Sequence, residues 1–162
     1  MIVLDASAAI LLAKAELLDI FFHDAGKTVL MPREVQEECC CRDSLDARLI
    51  ARAIEDKRIQ VRVVERHALQ RLIGDLGLGK GEAAAILLAV PKNAPVATDD
   101  KRAINACKLL KVPFTTTISL LVHMRRKRLV GRKEALEKLA ALARHGHYKR
   151  EIIEAARTEL EI

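Results

Sequence analysis

The sequence predicts an α/β protein: a three-layer α/β/α sandwich around a central, mainly parallel sheet, with further helices at the C-terminus. Three observations lead there. Short apolar runs rich in β-branched residues alternate with longer segments of helical periodicity as far as Thr115, the pattern of strand–helix–strand units joined by right-handed crossovers. Runs such as Ile2, Val3, Leu4 are apolar on consecutive residues, as strands covered on both faces must be. From Ile118 onward only helical pattern remains, broken at Gly131 and Gly146. A chain of 162 residues is long enough to bury its own core, so one domain over residues 1–162 is expected, with a helical extension over roughly residues 131–162.

Taken in order, Ile2 to Leu4 reads as a buried strand that ends at Asp5. Ser7 then stands where it could cap a helix over residues 8–20, a segment rich in Ala and Leu. Residues 24–27 break the pattern before a second strand at residues 28–31. Pro32 suits the first position of the next helix, because proline lacks only an N–H that is unpaired there anyway. A helix over residues 45–56 and an alternating, edge-type strand over residues 59–64 follow. After a helix at residues 65–76, glycines punctuate a loop, and Glu82 opens a helix whose apolar residues lie nearly all round, so most of its surface should be packed. Pro91 stops it. Residues 95–98 read as a strand, Lys101–Leu110 as a helix, and residues 112–115 as the last strand.

Hydrophobic residues at 51% and charged residues at 31% exclude a disordered, collagen-like or coiled-coil chain. The apolar runs at residues 83–90 and 120–122 fall far short of the roughly 20 residues of a bilayer crossing, so no membrane partner is expected. MIVLDAS lacks the basic and apolar regions of a signal peptide, which predicts a cytoplasmic protein. Cys39, Cys40 and Cys41 are adjacent and only Cys107 stands elsewhere, a spacing unsuited to zinc; reduced, structural thiols are expected. The net charge of +6 is unevenly spread: residues 1–100 hold 13 Lys/Arg against 16 Asp/Glu, and residues 101–162 hold 15 against 6. A basic half beside an acidic half suits a protein that grips a polyanion with one and a cation with the other, although a run such as Arg125, Arg126, Lys127, Arg128 is commonly a solvated helix end.

In an open parallel sheet, ligands bind beyond the carboxyl ends of the strands where the strand order reverses. Two strands here end in acid: the first in Asp5, the fourth in Asp99 and Asp100. Carboxylates brought together repel, and a divalent cation or a shifted pKa compensates. Oxygen donors without a histidine cluster suit Mg²⁺ or Mn²⁺, and the matching chemistry is phosphodiester hydrolysis. Each acid also has a structural reading: a helix cap for Asp5 or Asp99, a solvated face for Glu34, Glu37 and Glu38, a dipole partner for Glu82.

The motifs MIVLDAS, MPREVQEE, LGKGEAAAILLA, VATDDKRA and FTTTISLL, in that order, resemble the PIN domain family, and within it archaeal and bacterial predicted nucleases related to the VapC toxins. The resemblance implies a Mg²⁺- or Mn²⁺-dependent endoribonuclease with Asp5, Glu38, Glu82 and Asp100 as its catalytic acids, and Asp5, Glu82, Asp100 and Asp99 around the metal. Ser7, Thr117 and Glu37 take supporting places, Glu37 standing in for Glu38 if the register is one residue off. Lys101, Arg102, Arg125 and Arg126 are the candidate substrate contacts. Ser119 and Ile104 depart from the pattern, standing where relatives often carry glycine and a basic residue. The resemblance also implies RNA, single-stranded or structured, as substrate, a homodimer, and an antitoxin protein as a candidate partner. The alternative is a catalytically weak or inactive module that binds nucleic acid or a partner. A dehalogenase-like phosphatase is disfavoured because its second aspartate would fall at Ser7, and a receiver domain because the acid pair comes late.

Overall fold

The computed structural model describes residues 1–26 and 28–162, Ala25 by its backbone alone. The elements are β1 (Ile2–Leu4), α1 (Ala6–Lys14), α2 (Leu18–Ala25), β2 (Val29–Pro32), α3 (Arg33–Cys40), α4 (Leu45–Glu55), β3 (Gln60–Arg62), α5 (Arg66–Leu76) and α6 (Lys80–Ala89). A 3-10 turn at Val90–Lys92 leads to β4 (Val96–Ala97), α7 (Lys101–Leu110), β5 (Phe114–Thr115), α8 (Thr117–Arg126), α9 (Arg132–His145) and α10 (Arg150–Glu161).

The five strands form one sheet in the order β3-β2-β1-β4-β5, and every pairing is parallel. Side chains alternate across it: Ile2, Leu4, Val29, Met31 and Ala97 enter a core with α1–α4 and α8–α10, whereas Val3, Leu30 and Val96 enter a second core with α5–α7. Consecutive apolar residues in the strands therefore serve two helical layers, as the sequence predicted. From β1 the chain first moves toward β2 and β3, then returns to the other side of β1 for β4 and β5. The reversal places a crevice beyond the carboxyl ends of β1 and β4.

The structure corrects several boundaries. The single helix expected over residues 8–20 is two, because Glu16 adopts a left-handed backbone (φ 54°) that no α-helix continues through. Asp24, expected to break a helix, lies within α2, and Lys27 lies outside the described residues. Asp5, rather than Ser7, caps α1. Glu82 is the third residue of α6, not its first, since Lys80 and Gly81 are already helical. Cys39 and Cys107 are buried and Cys40 is half-buried, but Cys41 is exposed. Of the apolar residues on the C-terminal helices, Leu139 and Leu142 are buried and Leu136 and Ile153 pack against the core, whereas Ile152 is 47% exposed. No helix is long and apolar enough to cross a membrane among the described residues.

Candidate active site

Asp5 directly follows β1, where the strand order reverses. It is 2% exposed, and among the described residues it is the one buried residue with an ionisable acid. Its Oδ1 accepts the Ala6 N–H at 2.8 Å, which starts α1. Its Oδ2 accepts the Thr98 hydroxyl at 2.7 Å and the Ser7 hydroxyl at 3.3 Å. Ser7 Oγ in turn accepts the Asp99 N–H from the end of β4 at 2.9 Å, and Thr98 Oγ1 accepts the N–H of Asp100, two residues on, at 3.2 Å. The network stitches the end of β1 to the end of β4, so the first acid and the late acid pair are held in fixed relation.

Burial pushes the Asp5 carboxyl up to about 6, against the opposing pull of its hydrogen bonds to Thr98 and Ala6; the charges of Glu82 and Glu38 raise it further. Glu38 is likewise pushed up by burial and by the charges of Glu82 and Asp100. Asp5, Glu38, Glu82 and Asp100 therefore share one electrostatic neighbourhood, although they come from β1, α3, α6 and the start of α7. Among the described residues no Lys, Arg or His forms an ion pair with Asp5, whose hydrogen-bond partners are Ala6, Ser7 and Thr98. A carboxylate buried without a positive partner is strongly disfavoured.

Each wall has a local cause. The α3 helix turns Val35 and Cys39 into the core, and Glu38 lies against α6, where a Cβ on Gly81 would come within 2.7 Å of Glu38 Oε2. A side chain there would push the flexible Glu38 carboxylate aside, so the bare Gly81 leaves Glu38 its place. Glu37 stands in an exposed i,i+4 pair with Arg33 at 3.3 Å, while Glu38, exposed as well, lies beside Gly81 of α6. Glu82 accepts the Gly79 N–H at 3.0 Å, closing the first turn of α6, and also pairs with Arg102 at 3.2 Å. Asp100 caps α7, its Oδ1 accepting from Arg102 and Ala103 at 2.8 and 3.0 Å.

Asp99 is engaged differently. Its carboxylate accepts the Thr117 N–H at 3.2 and 3.1 Å, the Thr117 hydroxyl, and the Tyr148 hydroxyl at 2.7 Å. Burial raises the Asp99 carboxyl, and those hydrogen bonds pull it back. Burial and the Asp99 charge push the Tyr148 hydroxyl well up, so it stays protonated and donates. Sequence reasoning missed Thr98 and Tyr148. Thr98 had a signal, as a polar residue closing an apolar strand beside two acids; Tyr148 had none, since 49 residues separate it from Asp99.

The basic candidates divide. Lys101 and Arg102 open α7 at the rim of the crevice and are exposed. Arg125 and Arg126 lie at the far end of α8, about 12 Å along the helix axis from Thr117, where they reach the Leu160 carbonyl at 3.3 Å and Glu159 at 2.6 Å on α10. The structure does not bring these two to the acids. Among the described residues no three His, Cys, Asp or Glu side chains converge closely enough to hold an ion in this conformation. The carboxylates are instead occupied by caps, by Arg102 and by the Thr117 and Tyr148 donors. Even so, an all-oxygen donor set around a buried acid with no basic partner fits a hard divalent cation.

The profile of a PIN domain matches residues 1–161. No curated protein matches the chain. Among solved structures, the chain is similar in fold to PAE2754 from Pyrobaculum aerophilum, at 17% identity and a TM-score of 0.53, over 76% of this chain and 88% of that one. The all-parallel sheet, the acids at its reversal point and a family match that runs almost end to end agree: the chain belongs to the PIN domain family, whose members are generally nucleases.

Proposed function

We propose that the protein is a divalent-metal-dependent endoribonuclease whose reacting centre is the crevice beyond β1 and β4. The observation that carries the reading is Asp5, a buried carboxylate held only by the Ala6 N–H and the Thr98 and Ser7 hydroxyls, with no ion pair among the described residues. Asp5, Glu82, Asp100 and Asp99 would hold Mg²⁺ or Mn²⁺, with Glu38 completing the acids. A bound cation would neutralise the phosphodiester and the charge that develops on its attacking and leaving oxygens. Ser7 and Thr98 keep Asp5 facing the crevice. Glu38, beside Gly81 at the wall, is the side chain able to orient water toward the scissile phosphate. Lys101 and Arg102 at the rim meet the RNA backbone; Arg125 and Arg126, farther along α8, would touch only a longer strand.

The VapC-like motifs support a toxin role, with an antitoxin covering the acidic crevice and a homodimer as the working unit, in the cytoplasm and as one domain over residues 1–162. A second reading, a module that binds nucleic acid or a partner without cutting, is favoured by the Arg102–Glu82 pair, which neutralises one of the acids. Labelled RNA incubated with the protein and Mg²⁺, Mn²⁺ or chelator, beside an Asp5→Asn, Asp100→Asn double variant, separates the two. Metal-dependent cutting lost in the variant supports the nuclease; tighter RNA binding by the variant, with no cutting by either protein, supports the binder.

A further inference from the structure

The α9–α10 connection reaches Asp99 through the side chain of Tyr148. Its hydroxyl donates to Asp99 Oδ1 at 2.7 Å, while its half-buried ring packs against the main core. The connection is shaped to deliver it. Gly146 N–H closes α9 on the Leu142 carbonyl at 2.8 Å. A Cβ at Gly146 would run into the Tyr148 ring and come within 3.1 Å of that same carbonyl oxygen, although the backbone there is extended and strains no side chain by itself.

Asp99 has two sets of donors. Oδ2 is fixed by the Thr117 hydroxyl and N–H, whereas Oδ1 has the Thr117 N–H at 3.2 Å and Tyr148. Without Tyr148, Oδ1 would keep only that longer, shared bond, and the carboxylate could rotate about its Cβ–Cγ bond. Asp99 is also tied by its own N–H to Ser7, which touches Asp5. A tyrosine buried only for packing could satisfy its hydroxyl with any acceptor or with water. This one is spent on a carboxylate of the crevice.

We propose that Tyr148 is a positioning residue of the acidic site, acting through Asp99, so that the α9–α10 connection governs how the crevice takes up its cation. The inference rests on reading the crevice as a cation-dependent nuclease centre. Groups that orient a metal-binding carboxylate commonly change metal affinity or activity by about 10 to 100-fold when removed.

The protein carries its own probe, since it has one tyrosine and no tryptophan. Tyrosine emission depends on whether the hydroxyl donates to a carboxylate and on the charge beside that carboxylate. The experiment is a Mg²⁺ titration of the full chain followed by tyrosine emission, repeated on Asp99→Asn, alongside the Mg²⁺ dependence of RNA cleavage by Tyr148→Phe. Mg²⁺ should shift the emission over the concentrations that support cleavage, and Asp99→Asn should abolish the response. Tyr148→Phe should raise the half-saturating Mg²⁺ about tenfold or more, leaving KM for RNA at saturating Mg²⁺ unchanged. Emission indifferent to Mg²⁺ while RNA is cut, or a Tyr148→Phe protein that loses thermal stability but keeps the wild-type Mg²⁺ dependence, would overturn the inference and leave the nuclease reading standing. Emission that responds to Mg²⁺ through Asp99 with no RNA cut under any condition would sink the nuclease reading and leave Tyr148 in its place. Should Tyr148→Phe fail to fold, the emission titrations of the wild type and Asp99→Asn still decide.

Discussion

Replacing Asp5 by asparagine should abolish metal-dependent cleavage and yet stabilise the protein at neutral pH. The folded-state pKa of about 6 against an ordinary 3.8 means that the native state holds the Asp5 proton more tightly than the unfolded state. Stability is then fully retained below the unfolded value and is lost as pH rises through about 6. The two values give a penalty of roughly 1 kcal/mol at pH 4.5 and about 3 kcal/mol at pH 7.5. Asparagine escapes it, since it cannot ionise. It still caps α1 through the Ala6 N–H, because asparagine caps about as well as aspartate. What it loses is Oδ2, the shared acceptor of the Thr98 and Ser7 hydroxyls, about 1 kcal/mol net because those hydroxyl oxygens can accept from the amide instead. The variant should therefore match the wild type at pH 4.5 and exceed it by about 2 kcal/mol at pH 7.5. Urea unfolding followed by circular dichroism, with chelator present, reads this directly. A gap that is the same at both pH values, or a variant less stable than the wild type at pH 7.5, would refute the reasoning. Saturating Mg²⁺ should stabilise the wild type by about 2.7 kcal/mol at 100 times its dissociation constant and leave the variant unmoved.

Three further outcomes follow from the same geometry. Gly81→Ala should keep or slightly raise the melting temperature, since alanine favours helix by about 1 kcal/mol, but the new Cβ displaces the flexible Glu38 carboxylate, and cleavage should fall at least tenfold; equal activity would remove Glu38 from the site. Arg102→Ala frees Glu82 from its pair and should tighten Mg²⁺ binding, measured by calorimetry, while raising KM for RNA; weaker Mg²⁺ binding would show that Arg102 organises the acids rather than competing for them. Because Asp5 must ionise to take a cation, the half-saturating Mg²⁺ should rise about tenfold per pH unit below about 6 and level off above it; a flat profile from pH 5 to 8 would place the cation away from Asp5.

Much of this fold can be read from local pattern. The helix Lys101–Leu110 and the strand Ile2–Leu4 stand where the periodicity puts them, because each is bounded by a residue with a single strong preference: an acid that caps, a run of β-branched residues that buries. Gly131 and Gly146 flank α9 as the sequence suggests. The break between α1 and α2 is invisible to the same reading, since Leu17 and Leu18 continue the apolar pattern straight through a left-handed Glu16. Their burial is decided by how α2 packs on α8, a tertiary matter. Tyr148 escapes for a similar reason: its partner is chosen by the return of α9 over α1 and α8, and no spacing within the chain encodes that.

The acids themselves show why a capping role does not compete with the proposed ligand role. Asp5 and Asp100 each spend Oδ1 on the first turn of a helix, which fixes the carboxylate plane and leaves Oδ2 directed by what lies across the crevice. For Asp5 that is Thr98 and Ser7; for Asp100, no protein donor reaches Oδ2 among the described residues. A cap therefore orients a site acid at no added entropy, since the rotamer is already chosen by the helix. Asp100→Asn tests this division. Asparagine retains the α7 cap through its carbonyl oxygen, so the melting temperature should hold within about 2 °C, corresponding to at most about 1 kcal/mol, while the amide now stands in the place of Oδ2 and repels a cation. Cleavage lost at unchanged stability would assign the two oxygens of Asp100 to separate tasks; stability and cleavage lost together would return Asp100 to a structural cap alone.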